Sequence, residues 1–256
     1  MQKFVYHQFL YGSDNYGVLV HDPRTNKTAA IDAGDFVAYE EELQKKGWNL
    51  SDILITHHHA DHTDGLKKLL EKTGAKVYGP KGKGGIYEHI SNKLSEGDKF
   101  EFSDVQFNVI QTPGHTLDMI NYYIPSEKVC FTGDTLFSLG CGRVFEGSHK
   151  QMWESLTKLV ALPSDTIIYS SHEYTEANAK FALSIDPENK KLVERSKQID
   201  NLRKDKKPTV PSILYDELET NPFLRTHDKN IRNFLNLENA SDFEVFSEIR
   251  SRKDNF

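Results

Sequence analysis

Short apolar runs bounded by turn residues dominate the first two thirds of the chain, a pattern that predicts β-strands. The predicted strands cover residues 4–10, 16–20, 29–31, 52–55, 75–78, 105–110, 119–124, 128–131 and 166–169. Helical spacing of apolar residues predicts helices at 36–46, 64–72 and 151–161. Strands and helices mixed in this order favour an α/β or α+β sandwich with helices packed outside the sheets.

The pattern changes after His172, where charged residues and helical spacing of apolar residues replace the strand pattern. The spacing of apolar residues over 174–206 predicts two helices. They are separated at Asp186-Pro187, because proline cannot continue a helix. Beyond Pro208 and Pro211, Ser212 is expected to cap a further helix, and most of the remainder to Phe256 has helical spacing. We therefore predict two domains, an α+β domain over 1–172 and an all-helical domain over 173–256.

Composition and charge narrow the classes of protein that this chain can belong to. Of its 256 residues, 37% are hydrophobic and 27% are charged, which is typical of globular domains. The net charge of −6 argues against binding to nucleic acid through phosphate neutralisation. No stretch approaches the roughly 18 apolar residues of a membrane-spanning helix, and the start lacks the apolar core of a secretory signal, which favours a cytoplasmic location.

Two cysteines are too few for a disulfide scaffold and are not spaced as a metal-binding pair. Cys130 lies within an apolar run and is expected to be a small core residue. Cys141 lies among glycines, where we expect a packed loop thiol.

The most informative segment is THHHADH, residues 56–62, which follows the apolar run Ile53-Leu54-Ile55. If the chain stays extended beyond Ile55, His57 and His59 point the same way and can bind one ion together. Asp61 shares that parity, and His62 lies next to it where a helix is predicted to begin, so a second ion can bind there. The alternatives are a histidine-rich polar loop or a capping box.

Three further polar residues each follow a predicted strand, at the positions where loops carry ligands on a rigid scaffold: His115, Asp134 and His172. Taken singly, each is equally compatible with a structural role, and Asp134 could simply form a turn. Together with residues 56–62 they supply five histidines and two aspartates. That is the ligand count of two metal ions that share one carboxylate, and imidazole and carboxylate ligands suit zinc, iron or manganese.

Four motifs resemble the metallo-β-lactamase superfamily, namely THHHADH, TPGHT at 112–116, FTGDTLF at 131–137 and SHEYT at 171–175. CGRVFEG at 141–147, HEYT and the terminal RSRKDNF resemble its hydroxyacylglutathione hydrolase (glyoxalase II) family. The resemblance implies an αββα sandwich followed by a helical domain. It assigns His57, His59 and His115 to one metal ion, Asp61, His62 and His172 to a second, and Asp134 to both as a bridge.

The same resemblance implies a binding site for a glutathione thioester, formed by Arg143, Phe145, Tyr174, Arg250 and Lys253. Arginine pairs bidentately with carboxylates, so these residue types fit the two carboxylates of glutathione. From the residues alone, Arg250 and Lys253 could equally be the cations that any helix favours at its C-terminal end. Some family members have lysine and tyrosine at the positions of Arg143 and Phe145, and Phe145 cannot donate a phenolic hydrogen bond.

The activity implied is hydrolysis of S-(2-hydroxyacyl)glutathione, typically S-lactoylglutathione, the second step of methylglyoxal detoxification, by a monomer. Two divalent ions, zinc above all with iron or manganese as alternatives, would activate water, with Asp61 and Asp134 as catalytic residues. A thiolate leaves without a strong general acid, which suits a thioester substrate. The alternatives are another superfamily chemistry, such as persulfide oxidation or phosphodiester hydrolysis, or a non-catalytic metal-binding module.

Overall fold

The computed structural model describes residues 3–256, so Met1 and Gln2 of the predicted first domain lie outside the described residues. The chain divides into two compact units. The first unit contains the described residues up to Gln111 together with Asp118–Gly133. The second unit contains Thr112–Leu117 and Asp134–Phe256.

The first unit begins with a six-stranded sheet whose spatial order follows the chain. Its strands are β1 (Val5–Tyr11), β2 (Asn15–Asp22), β3 (Lys27–Ile31), β4 (Asn49–Leu54), β5 (Lys76–Pro80) and β6 (Asn92–Leu94). The first three strands pair antiparallel, and β3 to β6 pair parallel. Helices α1 (Phe36–Lys46), α2 (Ala60–Thr63) and α3 (Leu66–Thr73) lie in the connections, as parallel pairing requires.

A second group of strands in this unit forms an antiparallel meander. It consists of β7 (Lys99–Phe102), β8 (Val105–Gln111), β9 (Ile120–Ile124) and β10 (Val129–Gly133). Every residue of β9 and of β10 is buried, which explains their nearly continuous apolar sequence. Cys130 lies in β10 and is fully buried, as predicted, and burial raises the pKa of its thiol.

Aromatic residues connect the two groups of strands within this unit. The Tyr122 hydroxyl on β9 donates a 2.6 Å hydrogen bond to the carbonyl of Ile55, just beyond β4. Phe100 on β7 stacks on Tyr78 of β5 at 4.5 Å between ring centroids. Helices α1 and α3 pack on the first sheet through a cluster that includes Leu43, Leu69 and Ile55. The end of β4 is therefore held in a packed core, which fixes the start of the segment that follows it.

The second unit combines small β elements with helices. Its elements are β11 (Leu136–Phe137), β12 (Gly140–Cys141), α4 (His149–Val160), β13 (Ile167–Ser170), α5 (Thr175–Ile185), α6 (Lys190–Lys204), β14 (Ser212–Ile213), α7 (Leu214–Thr220), α8 (Lys229–Leu235) and α9 (Asp242–Asp254). Helices α5 and α6 share a buried cluster that includes Ala182 and Leu192. Helix α9 packs near α4, where the Trp153 and Phe243 rings lie 6.3 Å apart. No helix among residues 3–256 is long and apolar enough to cross a membrane.

The prediction that Ser212 caps a helix was wrong. Ser212 lies in β14, where it pairs with Ile168 of β13, and the residue at the helix N-cap is Ile213. Long-range strand pairing therefore decides its conformation. The helix predicted at 64–72 is present as α3, which begins after Gly65 rather than at Asp64. Cys141 lies in the short strand β12 rather than in a loop, although it is buried as expected.

The bond between Tyr122 and Ile55 predicts a measurable stability effect. Replacing Tyr122 with phenylalanine leaves the buried Ile55 carbonyl without its short hydrogen bond and should lower the free energy of unfolding by about 1–3 kcal/mol. Urea unfolding of both proteins would measure it. Tyr215→Phe, at an exposed tyrosine, is the matched control and should change little. Equal effects of the two substitutions would contradict this role of Tyr122.

Candidate metal centre

The segment after β4 brings histidines together within the first unit. His57 and His62 are buried, and their ring centroids lie 4.1 Å apart. Ring nitrogens of His57 and His59 that could bind a metal ion lie within 4.8 Å of each other, as do those of His57 and His62. The clustering of imidazoles predicted from the sequence is therefore present.

Asp61 lies beside this cluster, but its backbone conformation differs from the extended one expected. The alternation of side chains in extended backbone does not continue to Asp61. Helix α2 begins at Ala60 and places Asp61 in its first turn. Its carboxylate Oδ2 lies 3.3 Å from His62 Nε2 and accepts a 2.9 Å hydrogen bond from the Asn15 side-chain amide. The Asp61 side chain is 47% exposed, so its carboxylate faces both the histidines and solvent.

Asp32, which follows β3, was missed by the sequence reasoning and orders this segment. Its carboxylate accepts hydrogen bonds from the Thr56 amide at 2.7 Å and from the Thr56 hydroxyl at 3.0 Å. It also lies 2.8 Å from His62 Nδ1. Asp32 directly follows the predicted strand 29–31, and this strand-end position is a signal that it shares with Asp134 and by which it could have been found.

These bonds fix which imidazole nitrogen is available to a metal. The Thr56 hydroxyl already donates to Asp32, so His57 Nδ1, 3.0 Å away, must donate to it. His62 Nδ1 likewise donates to the Asp32 carboxylate. In both rings the lone pair is then on Nε2, and such anchoring of Nδ1 is typical of metal-binding histidines.

His58 is held in a separate network. Its Nδ1 lies 2.9 Å from Asp118 Oδ1, and the Tyr87 hydroxyl donates a 2.9 Å hydrogen bond to the other carboxylate oxygen. The side chain that separates His57 from His59 in sequence is therefore engaged by Asp118.

The second unit contains a carboxylate between two imidazoles. Asp134 Oδ2 lies 3.3 Å from His115 Nε2 and 3.4 Å from His172 Nε2, and all three residues are buried. His115 Nδ1 donates to the Arg143 carbonyl at 2.8 Å, which leaves the lone pair on Nε2. One carboxylate oxygen therefore lies within 3.4 Å of two histidine nitrogens.

Two glycines allow the backbone around Asp134 to adopt its path. Gly133 has a φ of +47°, a conformation that favours glycine. Gly142 packs so tightly that an added Cβ would lie 1.9 Å from the Asp134 carbonyl oxygen. A larger residue at Gly142 would therefore displace the main chain of Asp134.

The five predicted substrate-binding residues all belong to the second unit. The exposed Phe145 ring lies edge-on to His115 at 5.2 Å, and Tyr174 stacks on His172 at 4.7 Å. The Lys253 ammonium lies over the Phe181 ring, and burial, assisted by the charge of Arg250, lowers its pKa. The remaining two differ in exposure, because the Arg143 side chain is 56% exposed whereas Arg250 is 3% exposed.

Comparison with known proteins places the chain in a family. The family model of the metallo-β-lactamase superfamily matches residues 13–172, and the model of the hydroxyacylglutathione hydrolase C-terminus matches 173–256. A hydroxyacylglutathione hydrolase of Brucella ovis is 51% identical over 255 residues, which cover 100% of this chain and 99% of the relative. The chain belongs to the hydroxyacylglutathione hydrolase family. This membership confirms the resemblance inferred from the motifs.

Solved structures show the fold of this hydroxyacylglutathione hydrolase family member. ETHE1 from Myxococcus xanthus matches with a TM-score of 0.66 at 24% identity, covering 97% of this chain and 98% of the other. The protein TTHA1623, solved in a di-iron-bound form, matches with a TM-score of 0.55 at 25% identity, covering 65% of this chain and 91% of the other. The predicted metallo-β-lactamase sandwich followed by helices is confirmed.

The donor atoms present fit divalent metal ions. The metallo-β-lactamase fold implies such binding, and the clustered side chains are imidazoles and carboxylates, which zinc, iron and manganese accept. Three of the imidazoles have Nδ1 engaged and Nε2 presented, as described above. The fit therefore rests on side chains of this chain as well as on the fold.

The role of Asp32 predicts a defined loss of metal affinity. Asp32→Asn removes the negative charge behind His62 Nδ1 and should weaken divalent-metal binding by about 10- to 100-fold. Competition with a chromophoric chelator would measure it. Asp205→Asn, at an exposed aspartate, is the control and should leave affinity unchanged. Unaltered affinity in Asp32→Asn would show that Asp32 does not support a metal ligand.

Proposed function

We propose that this chain hydrolyses S-(2-hydroxyacyl)glutathione, typically S-lactoylglutathione, to glutathione and a 2-hydroxy acid such as lactate. The observation that carries the proposal is full-length identity of 51% to a protein named hydroxyacylglutathione hydrolase. The carboxylate of Asp134 close to two imidazoles supports it, because such donors can bind the divalent ions that activate water for hydrolysis. The activity is the second step of methylglyoxal detoxification.

Seven side chains are proposed to hold two divalent ions. His57, His59 and His115 would bind one ion, Asp61, His62 and His172 the other, and Asp134 both. Zinc suits these ligands, and iron or manganese is compatible with them; the di-iron form of TTHA1623 supports including iron. When bound, two divalent ions act as Lewis acids and lower the pKa of water toward about 7, so that hydroxide is available at neutral pH.

The chain's own residues orient the reactants. The Asp61 carboxylate is held by the Asn15 amide and reaches solvent, so it can accept a hydrogen bond from the attacking water and aim it at the thioester carbonyl. Asp134 Oδ2 lies within 3.4 Å of Nε2 of both His115 and His172. The leaving group is a thiol with a pKa near 8.5, which departs as a thiolate without a strong general acid.

Residues 173–256 are proposed as the substrate-binding domain that follows a catalytic domain over 1–172. Arg143 and Lys253 supply positive charge for the carboxylates of glutathione, and Arg250 belongs to the same cationic cluster. Tyr174 and Phe145 lie beside metal-ligand histidines and can contact the thioester. Since Phe145 has no hydroxyl, hydrogen bonding to glutathione falls to Tyr174 and to main-chain amides.

A thioester assay tests the proposed activity. With the metal-loaded protein, the thioester absorbance of S-lactoylglutathione should fall rapidly as the substrate is hydrolysed. His59→Ala should reduce the rate of hydrolysis to background, because a metal ligand is lost. His227→Ala removes an exposed histidine that matches no metal position and should retain the wild-type rate. Wild-type turnover no faster than that of His59→Ala would reject the proposal.

A further inference from the structure

The imidazole of His58 is held by one carboxylate, and both oxygens of that carboxylate have donors. A carboxylate oxygen accepts, so His58 Nδ1 donates to Asp118 Oδ1 at 2.9 Å, and the Tyr87 hydroxyl donates to Asp118 Oδ2 at 2.9 Å. The Asp118 side chain is 9% exposed, so little water competes for these bonds, whereas the His58 side chain is 32% exposed. Because each oxygen is engaged by a different donor, rotation of the carboxylate would break both bonds. Asp118 therefore offers His58 an acceptor in a fixed position.

Tyr87, the second donor to Asp118, is itself fixed by packing. It lies in the short 3₁₀ helix Gly85–Glu88, which belongs to the connection between β5 and β6. Its ring packs against the buried cluster of the first unit that includes Ile55. The ring also lies directly on Gly82, where an added Cβ would be 2.4 Å from a ring carbon. A side chain at position 82 would therefore displace the phenol from Asp118.

The anchored ring of His58 contacts the ring of a candidate metal ligand. The centroids of the His58 and His59 rings lie 5.1 Å apart, with 70° between the ring planes. The His59 ring is in edge contact with the His57 ring as well, at 4.7 Å between centroids. Edge-to-face contacts at these distances are attractive and favour one relative orientation of the rings. His59 therefore packs against one imidazole that is a candidate ligand and one that Asp118 holds.

The main chain at His59 is held separately from these rings. The Thr63 hydroxyl donates to the His59 carbonyl at 2.9 Å, and the His62 amide donates to the same carbonyl at 3.0 Å. Neither bond involves Asp118. Loss of the Asp118 carboxylate should therefore release the His58 ring while the main chain of the segment stays in place, so that the effect passes from one ring to the next.

We propose that Asp118 is a positioning residue for the metal ligand His59, acting through His58, and that Tyr87 holds Asp118 in place. The inference rests on the ligand set given under the proposed function, in which His59 binds one of two divalent ions. It goes beyond that set, because Asp118, His58 and Tyr87 acquire a role in metal affinity although none of them is itself a ligand. The affinity for one ion then depends on the packing of the connection between β5 and β6.

Zinc titration of the metal-stripped protein, in competition with a chromophoric chelator, tests this role. Asp118→Ala should weaken one of the two binding steps by about tenfold, the lower end of the loss expected for a residue behind a metal ligand. The other step should keep its affinity, because His59 is assigned to one ion. Asp118→Asn should lose less, since its amide oxygen can accept from His58 and its amide nitrogen can donate to the Tyr87 hydroxyl. Glu42→Gln, at the 2.7 Å pair with His7 outside the candidate ligand set, is the matched control and should change neither step.

Two further variants measure whether the residues act as a chain. His58→Phe keeps a ring but has no Nδ1 donor, so it should weaken the same step as Asp118→Ala. The double variant should be no worse than the weaker-binding single variant, because both substitutions remove one interaction. Gly82→Ala should displace the Tyr87 ring and give a smaller loss at the same step. Should Asp118→Ala fail to fold, Asp118→Asn and Gly82→Ala decide the question, since both keep a hydrogen-bonding group at position 118.

Three results would overturn the positioning role. These are unchanged zinc affinity in Asp118→Ala, equal weakening of both binding steps, and losses that multiply in the double variant. Hydrolysis of S-lactoylglutathione by the wild type, measured separately, distinguishes this inference from the proposed function. Zinc binding without hydrolysis would reject the proposed activity and leave the affinities to judge Asp118, whereas a wild type that binds no divalent ion would overturn the ligand set and this inference together.

Discussion

A buried carboxylate oxygen of Asp134 that faces two imidazole nitrogens is the interaction on which the candidate site depends. His115 donates from Nδ1 to a carbonyl, so its Nε2 presents a lone pair to the carboxylate 3.3 Å away. Lone pairs that face one another in a buried place repel unless a cation lies between them. The arrangement is therefore compatible with a ligand set in which a cation lies between these atoms.

The scaffold keeps these side chains in place by ending strands at fixed points. Tyr122 and the apolar cluster around Ile55 anchor the start of the histidine segment, and Asp32 then orders Thr56 and His62. In the second unit, Gly142 and Arg250 hold the segment after β12. In each unit, packed secondary structure fixes the backbone, and hydrogen bonds then fix the ring orientations of His57, His62 and His115.

Local pattern was sufficient to predict most strands and the helical C-terminal third. It also singled out the histidines and aspartates that cluster in the structure, because strand ends and motif spacing are local properties. It was insufficient for Ser212, whose strand pairing is with residues about 45 positions earlier. Asp32 does follow a predicted strand, but its contact with His62, 30 positions away, is not a local property and is shown only by the folded chain. A cation near a chain end looks the same whether it is buried or exposed, so the burial of Arg250 was not predictable.

Measuring the number of bound metal ions together with the rate of hydrolysis tests the central claim most directly. The protein would be stripped with a strong chelator, titrated with Zn²⁺ and assayed on S-lactoylglutathione at each step, with bound zinc measured in parallel. The account predicts that stripping abolishes hydrolysis and that activity returns in full as bound zinc approaches about two ions per chain. Full hydrolytic activity in the stripped protein, with no bound metal detected, would contradict it.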